Sequence, residues 1–349
     1  MIRLVIADDS IFFLKVLKER IESSGKIQVV GSASNGKEAI DLVQETNPDL
    51  LVLDCQMPVM DGLECLKKIK HQWPGPVVML SSLTYEGAAT TIEALEYGAV
   101  DFLHKPSEET EGVNQIIGAL VEKIEVIVLQ RRLKDIRGKY KPALSKREGV
   151  LSGLSSKARE VNVIAMGSST GGVQATLDVI PHLPAHMKPI VWVQHVPSQF
   201  VESLARRLDS RSPMKVKVGE DGESIYQGTC YLAPGGFQMR LKRRGHQLQL
   251  SIGGQEKVSS HCPSCDVLFD SVAETCTSDV IGVILSGMGD DGARGLEKMH
   301  KQGAFVIGQN EESCVVYGMP KMAYERGAVD VELDSKDIAE GIQKVAGLS

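Results

Sequence analysis

Three side chains that could together perform nucleophilic catalysis each follow a short apolar run in the part of the chain beyond residue 160: Ser169, His195 and Asp291. A serine hydroxyl is a poor nucleophile at its free pKa and needs an adjacent base. A histidine supplies that base near neutral pH, and a buried carboxylate orients the imidazole. The sequence therefore contains the parts of a Ser-His-Asp hydrolase, if the fold brings them together.

The serine lies in the most informative local motif of the chain. The run VNVIAM is rich in β-branched residues and is typical of a buried parallel strand, and GSSTGG after it matches G-x-S-x-G centred on Ser169. A sharp turn into a helix would lift the hydroxyl clear of the sheet and offer free N–H groups to a developing negative charge. The same turn could instead cradle a phosphate or be a plain tight turn, so the local residues leave three interpretations open.

Other residues compete for the base and the acid. His182 and His186 lie in a Pro-rich loop, and His261 could line the same cleft as His195. Asp290 leaves a second carboxylate beside Asp291. The chain order Ser, His, Asp also differs from the Ser, acid, His order of the α/β-hydrolases, so the motif alone does not place the domain in that fold.

A second set of reactive side chains lies in the first 125 residues. Asp8 and Asp9 end the first predicted strand, Asp54 ends the third, Ser81 ends the fourth and Lys105 follows the fifth. Carboxylates that converge at one edge of a sheet repel each other unless a cation lies among them, and Mg²⁺ prefers such oxygen ligands. Asp54 could then accept a phosphoryl group, with Lys105 paired to the acyl phosphate.

Both candidate sites require parallel sheets to position them. The first 137 residues alternate five strands with five helices, which predicts a doubly wound α/β domain with its site at the carboxyl ends of the strands. The second half predicts another doubly wound parallel sheet, Rossmann-like, with an antiparallel hairpin around Gly245. We expect domains at 1–125 and 160–347, joined by a helix extension and a linker over 126–159 that is rich in lysine, glycine and serine.

Composition narrows the class of protein. A chain of 349 residues with 42% hydrophobic and 24% charged residues predicts two globular domains. The net charge of −6 argues against a broad nucleic-acid interface. No apolar run reaches membrane-spanning length and no signal peptide is visible, so we expect a cytoplasmic protein without membrane insertion. The pair Cys262 and Cys265 has CxxC spacing, but zinc would need a second ligand pair and a redox role has no other support.

The first 125 residues resemble the response-regulator receiver domain. The resemblance rests on Asp8-Asp9, Asp54-Cys55-Gln56-Met57-Pro58, Asp61-Gly62, Ser81 and Lys105-Pro106. It implies that Asp54 is the phospho-acceptor, and that Asp9, Asp54 and the Gln56 carbonyl hold Mg²⁺ with Asp8 in the same cluster. It further implies that the Ser81 hydroxyl moves to the phosphoryl group and that Phe102 is an aromatic switch.

The second half is similar to the catalytic domain of the chemotaxis protein-glutamate methylesterase/deamidase family over about 160–347. The similarity rests on GSSTGG, QHVP at 194–197, YLAPG at 231–235, SCDVLF at 264–269, GMGDDG at 287–292 and GMP at 318–320. It implies Ser169 as nucleophile, His195 as base and Asp291 as acid, with the oxyanion region at Thr170, Gly171 and Met288. The family often has Ala at position 168 and Asn at position 290, so Ser168 adds a hydroxyl beside the nucleophile.

The two resemblances together imply a function. It is hydrolysis of glutamate γ-methyl esters on methylated chemoreceptors, with methanol released, and deamidation of certain glutamines, with no cofactor in that step. A chemotaxis histidine kinase would be the phosphodonor, and phosphorylation would relieve a block that the receiver imposes on the cleft. We expect a monomer.

Two functions from other classes serve as alternatives. A DNA-binding response regulator would need a basic output domain with a DNA-reading motif, and the acidic second domain argues against it. A nucleotide- or phosphate-binding module could use GSSTGG as an anion loop, but the motif lacks the Gly-Lys-Ser/Thr ending of a P-loop.

Overall fold

The computed structural model of the chain describes residues 1–81, 84–105, 110–138 and 147–348, without the side chains of 85–86, 110–116, 138 and 147–149. It divides into two units, Met1–Gly138 and Lys139–Ser349. Residues 139–146 of the predicted linker, and Pro106 of the receiver motif, lie outside the described residues. Within the part of the chain that is described, no helix combines the length and apolar character needed to cross a bilayer.

The first unit alternates strands and helices in a single parallel sheet. Its strands are β1 (Ile2–Ala7), β2 (Ile27–Ala33), β3 (Leu50–Asp54), β4 (Val77–Ser81) and β5 (Asp101–His104), and its helices are α1 (Ile11–Glu22), α2 (Gly36–Thr46), α3 (Gly62–Ile69), α4 (Tyr85–Glu96) and α5 (Thr110–Gly138). The strand order is β2-β1-β3-β4-β5, with every neighbouring pair parallel. The predicted doubly wound sheet is confirmed.

The position of the first candidate site follows from this order. The chain adds β2 on one side of β1 and then β3 on the other side, so the direction of winding reverses between β1 and β3. Ligands of such sheets bind beyond the carboxyl ends of the strands at this reversal. Asp8, just after β1, and Asp54, the last residue of β3, both lie there.

The second unit contains a larger parallel sheet and a separate hairpin. Its strands are β6 (Val163–Ser168), β7 (Ile190–Gln194), β8 (Lys215–Val218), β9 (Thr229–Leu232), β10 (Met239–Arg244), β11 (Gln247–Ile252), β12 (Val280–Ile284), β13 (Phe305–Gln309) and β14 (Val331–Leu333). Its helices are α6 (Arg147–Leu154), α7 (Gly172–Val179), α8 (Ser198–Asp209), α9 (Cys265–Thr275), α10 (Ala293–Lys301), α11 (Met319–Glu325) and α12 (Ser335–Val345). The parallel order is β14-β13-β12-β6-β7-β9-β8, and β10 pairs with β11 antiparallel. The predicted second sheet and its hairpin are confirmed.

The second sheet also reverses its winding at the strand that carries the serine. β7, β9 and β8 lie on one side of β6, and β12, β13 and β14 lie on the other. β6, β7 and β12 are buried along their whole length, as expected for strands covered on both faces. The loops that follow these three strands therefore share one edge of the sheet.

Part of the predicted linker is ordered in the second unit. Residues Arg147–Leu154 form α6, which contacts α12, and Leu151 and Leu154 are buried. Two buried leucines one turn apart give a short helix a stable place on a folded domain. This part of the predicted linker is therefore packed on the second unit.

Candidate active site and candidate phosphorylation site

Strand register places Ser169 and His195 next to each other. β6 pairs with β7 so that Ser168 lies opposite Gln194, and the His195 N–H donates to the Ser168 carbonyl at 3.0 Å. Adjacent strands lie about 4.8 Å apart, so the residues that follow this pair emerge side by side. The register thus brings the predicted nucleophile and the predicted base to a common edge.

The turn that carries Ser169 needs glycine. Gly171 has φ of 75° and precedes the first residue of α7. A Cβ at Gly171 would lie 2.4 Å from the Val315 Cβ and 2.8 Å from the Ser286 Oγ, so only glycine fits. The Ser286 hydroxyl donates to the Thr170 carbonyl at 2.7 Å and ties the turn to the loop after β12. Ser169 itself is half-buried, as a serine at such a turn must be to remain reachable.

The neighbouring serine has a structural environment. Ser168 is fully buried; its hydroxyl donates to Gln194 Oε1 at 2.6 Å and accepts from Trp192 Nε1 at 2.8 Å. Gln194 Nε2 in turn donates to the Ser169 carbonyl at 2.9 Å. The second hydroxyl of the motif is therefore engaged in supporting the turn.

His195 and Asp291 form a buried pair. His195 Nε2 lies 2.9 Å from Asp291 Oδ2. The carboxylate also accepts from Ser264 Oγ at 2.6 Å and from the N–H groups of Cys265 and Asp266 at 2.7 and 3.1 Å, which belong to the first turn of α9. Burial acts to raise the pKa of Asp291, but the hydrogen bonds from His195, Ser264 and the backbone outweigh it and hold this pKa below its ordinary value. Asp291 is thus an ionised acceptor at a helix N-terminus.

The structure distinguishes Asp291 and His195 from their rivals. Asp290 is exposed, whereas Asp291 is buried. His182 and His186 are exposed, whereas the ring of His261 packs on the ring of His195. His261 therefore lies beside the candidate base, a placement that the sequence left open, and His195 is the histidine that reaches the acid.

The orientation of the imidazole leaves one nitrogen for proton transfer. His195 Nδ1 is buried and has no hydrogen-bond partner among the residues that the structure describes. Because Nε2 contacts Asp291, Nδ1 is the ring nitrogen that remains free to accept a proton. No hydrogen bond joins Nδ1 to Ser169, both of which the structure describes; catalytic hydrogen bonds are often long or poorly aligned without substrate and tighten when substrate binds.

Some backbone N–H groups near Ser169 already donate to carbonyl groups, and others do not. Those of Ser169, Gly172 and Gly287 donate to carbonyls at 3.0, 2.8 and 3.1 Å. Across the described ranges, the N–H groups of Gly171 and Met288 have no acceptor. Two of the three residues predicted for the oxyanion region therefore carry donors that a developing oxyanion could use.

A cysteine that the sequence analysis set aside contacts this site. Cys265 Sγ is buried and lies 3.7 Å from His195 Nε2, and burial raises the pKa of its thiol well above the ordinary value. The pKa of Cys262 is also raised, by burial first, and both cysteines are free thiols. A reactive cysteine needs a lowered pKa, so neither thiol has the character of a nucleophile or a redox group.

The first unit brings its predicted carboxylates together. Asp8 and Asp54 are buried and Asp9 is exposed, with carboxylate oxygens of all three within 4.8 Å of one another. Lys105 Nζ lies 2.6 Å from Asp54 Oδ2 and 2.7 Å from Asp8 Oδ2. Burial raises the pKa of Asp54 to about 6; Lys105 opposes this rise and the charge on Asp8 adds to it.

These residues fit a divalent cation. Three converging carboxylates are the hard oxygen ligands that Mg²⁺ prefers, and a cation would relieve the repulsion between Asp8 and Asp54. Gln56, whose carbonyl is the predicted fourth ligand, is exposed, and its backbone N–H acts to lower the pKa of Asp54.

The two predicted switch residues lie inside the first unit. The Ser81 hydroxyl is buried, donates to the Gly87 carbonyl at 3.2 Å and accepts from Thr91 Oγ1 at 2.6 Å. Phe102 is buried on β5. Because Asp54 pairs with Leu80 in the register of β3 and β4, Ser81 follows the residue opposite Asp54. A movement of Ser81 toward Asp54 would have to break its present hydrogen bonds.

The supporting contacts of the candidate triad are not evident from the sequence. In the sequence, Gln194, Ser264 and Cys265 stand out only as members of short motifs. Their roles depend on pairing between distant segments, so local patterns carry no indication of them. A polar residue within an apolar strand, as Gln194 is, was the available clue.

Comparison with known proteins shows similarity over both units. The family model described as CheB methylesterase matches residues 164–342, and the one described as response regulator receiver domain matches 4–117. A protein-glutamate methylesterase/protein-glutamine glutaminase of Halalkalibacterium halodurans is 39% identical over 98% of this chain and 97% of that protein. One of Thermotoga maritima is 41% identical over 97% of each. The crystal structure of the Thermotoga maritima CheB methylesterase catalytic domain aligns with 53% of this chain and 98% of that chain, at 40% identity and a TM-score of 0.51.

Proposed function

The chain belongs to the CheB methylesterase family, and from that membership we propose that it hydrolyses glutamate γ-methyl esters, and deamidates certain glutamines, on chemoreceptors through Ser169, His195 and Asp291. The observation that best supports the proposal is the buried pair of His195 and Asp291, which lies at the sheet edge where Ser169 emerges. A phosphate-binding loop would leave this pair without a role. The match of residues 164–342 to a methylesterase model favours an esterase over a DNA-binding response regulator.

The proposed reaction is an acyl transfer in two halves. The Ser169 oxygen attacks the γ-carbonyl carbon while its proton passes to His195 Nδ1, and Asp291 stabilises the imidazolium through Nε2. The N–H groups of Gly171 and Met288 receive the oxyanion. The tetrahedral intermediate then expels the methoxy group, which takes the proton from His195 and leaves as methanol. A water molecule, deprotonated by His195, hydrolyses the acyl-enzyme; with glutamine the leaving group is ammonia.

Methanol release from methylated receptor tests this assignment. We expect Ser169→Ala to lower kcat by about 10³-fold or more, because the nucleophile is lost while binding remains. Ser210→Ala, at an exposed serine on the same unit, should retain the rate of the unchanged chain. Full activity in Ser169→Ala would show that the nucleophile is misassigned.

We further propose that Asp54 is phosphorylated by a histidine kinase and that this raises the esterase activity. Asp9, Asp54 and the Gln56 carbonyl would hold Mg²⁺, with Asp8 beside them and Lys105 placed to pair with the phosphoryl group. When bound, the ion neutralises the charge of the transferring group. Ser81 would leave its bonds to Gly87 and Thr91 to contact the phosphoryl oxygen, and Phe102 would follow.

Acetyl phosphate with Mg²⁺ tests the regulatory proposal. We expect a several-fold rise in methanol release by the unchanged chain and no rise in Asp54→Asn. Asp61→Asn is the matched control, since asparagine also caps the N-terminus of α3 as Asp61 does. Equal stimulation of Asp54→Asn would remove Asp54 as the acceptor.

A further inference from the structure

The imidazole of His261 lies flat on the imidazole of His195. The ring centroids are 3.7 Å apart and the planes differ by 3°. Two neutral aromatic rings prefer offset or edge-to-face arrangements to a face-to-face stack. A ring face does attract a cation, however, so this geometry suits the state in which His195 is protonated.

A strained turn holds His261 in this place. Val258 and His261 exchange backbone hydrogen bonds of 3.0 and 2.9 Å around Ser259 and Ser260, whose φ angles are 49° and 67°. Two-residue turns of this kind favour Asn-Gly, because both residues have positive φ. Non-glycine residues persist in such conformations where the surroundings hold them, and they cluster at functional sites.

Side-chain and backbone contacts fix the His261 ring and its loop. His261 Nδ1 lies 2.6 Å from the Ser259 carbonyl, so this nitrogen carries the proton and donates. The buried Gln238 donates to the carbonyls of Glu256 and His261 at 2.8 and 3.3 Å and accepts the Ser264 N–H at 2.9 Å. The loop is thereby tied to the N-terminus of α9, where Asp291 binds.

The charges around His261 favour its neutral form. Burial lowers the pKa of His261, and the neighbouring His195 and Lys257 lower it further. The Ser259 carbonyl and Asp291 oppose this decrease without reversing it. A neutral ring therefore faces His195.

We propose that His261 is a positioning residue for the base: its neutral ring keeps His195 aligned between Asp291 and Ser169, and its π face stabilises the His195 imidazolium formed when Ser169 loses its proton. The inference rests on the proposed function of Ser169 and His195. Because the imidazolium exists only after proton transfer has begun, the stabilisation belongs to the transition state and not to substrate binding. The expected effect is therefore on kcat and not on KM.

Three substitutions in the full chain test the inference through methanol release from methylated receptor. His261→Phe keeps a flat π face, His261→Leu fills the space without one, and His261→Ala leaves the space empty. We expect kcat to fall about tenfold in the Leu and Ala variants, with KM within about twofold, and to stay within about threefold in the Phe variant. His246→Ala, at the exposed tip of the hairpin, is the matched control.

The outcomes separate this inference from the proposed function. Equal kcat values in the Phe and Leu variants, or a change in KM without a change in kcat, would overturn the role of His261. Thermal unfolding of each variant shows whether a loss of kcat reflects loss of fold, and the comparison of Phe with Leu stands even if His261→Ala unfolds. Full activity in Ser169→Ala would instead refute the proposed function itself.

Discussion

At the residue scale, the turn that carries Ser169 depends on polar groups buried beneath it. The Ser169 carbonyl is bound by Gln194, Gln194 is bound by Ser168, and Ser168 also receives the Trp192 indole N–H. Each buried polar atom in this series has a partner, which is the condition for placing such atoms in a core. The hydroxyl at position 168 and the indole at position 192 are therefore coupled.

Substituting Ser168 should reveal this coupling. Ser168→Ala would leave the Trp192 N–H and the Gln194 Oε1 without their partner, and we expect a loss of about 1–3 kcal/mol in the free energy of unfolding. Trp192→Phe in the Ser168→Ala background removes the orphaned N–H donor, so the double variant should be more stable than the sum of the single losses predicts. Denaturant unfolding of the full chain measures all three. Strictly additive losses would contradict the coupling.

The lowered pKa of Asp291 makes the free energy of unfolding depend on pH. Because its pKa in the folded chain lies below the ordinary value of 3.8, its stabilisation is fully present above that value and is lost as pH falls through the folded pKa. The difference in unfolding free energy between the unchanged chain and Asp291→Asn should therefore be largest near neutral pH and shrink below about pH 4.

If Asp291 orients the base as proposed, the same substitution should lower kcat by about 10⁴-fold, as loss of the orienting carboxylate does in established Ser-His-Asp triads. Asp290→Asn, at the exposed neighbour, should change neither quantity appreciably. A stability difference that does not vary with pH would show that Asp291 is not held in its ionised form.

At the element scale, the N-terminal ends of α9 and α10 are joined by hydrogen bonds. Asp291, from the loop before α10, accepts the first N–H groups of α9, and Asp266, from the first turn of α9, accepts the Gly295 N–H of α10 at 2.8 Å. The free N–H groups at a helix N-terminus need acceptors, and here each helix obtains one from the other. The acid of the candidate triad is thus also part of the contact between two helices.

Ser264→Ala should affect both stability and catalysis. Ser264 caps α9 through the Val267 N–H and donates to Asp291 at 2.6 Å. We expect a loss of about 1 kcal/mol in unfolding free energy from the cap, together with a lower kcat because the acid loses a donor. Asp334→Ala, which removes the cap of α12, should lower stability by a similar amount and leave kcat unchanged. An unchanged kcat in Ser264→Ala would show that Asp291 is positioned without it.

At the scale of the whole molecule, the two parallel sheets hold their candidate sites at equivalent positions, although the residues of the two sites suit different chemistry. In each unit the candidate site lies where the winding of the sheet reverses, at β1 and β3 in one and at β6, β7 and β12 in the other. The first site gathers carboxylates and a lysine, and the second gathers a hydroxyl, an imidazole and a carboxylate. The two sites should therefore differ in their need for a divalent cation.

Chelation of divalent metals should separate the two sites. With EDTA we expect acetyl phosphate to lose its stimulation, while the basal rate of methanol release stays within about twofold, since the proposed triad reaction uses only side chains and backbone N–H groups. A basal rate that falls with EDTA and returns with Zn²⁺ would contradict this, and would point to the cluster of His195, Cys265 and Asp291, whose ligand atoms lie within 4.8 Å of one another.

The amino-acid sequence by itself determined the two alternating α/β units, the turn at Ser169 and the carboxylates around Asp54. These features are local, because strand periodicity, glycine turns and residues at strand ends are properties of neighbouring positions. They predicted doubly wound sheets but not the order of the strands within each sheet. The helix at Arg147–Leu154 was missed because a short segment broken by glycine and serine has little periodicity of its own.

Only the tertiary structure decided which of the competing residues meet. Asp291 and Asp290 are alike in sequence, and they differ because the N-terminus of α9 receives one of them and the other faces solvent. His261 became part of the site through a strained turn that lies 66 positions along the chain from the ring it covers. Contacts across such distances arise from packing and strand register, which no local pattern encodes.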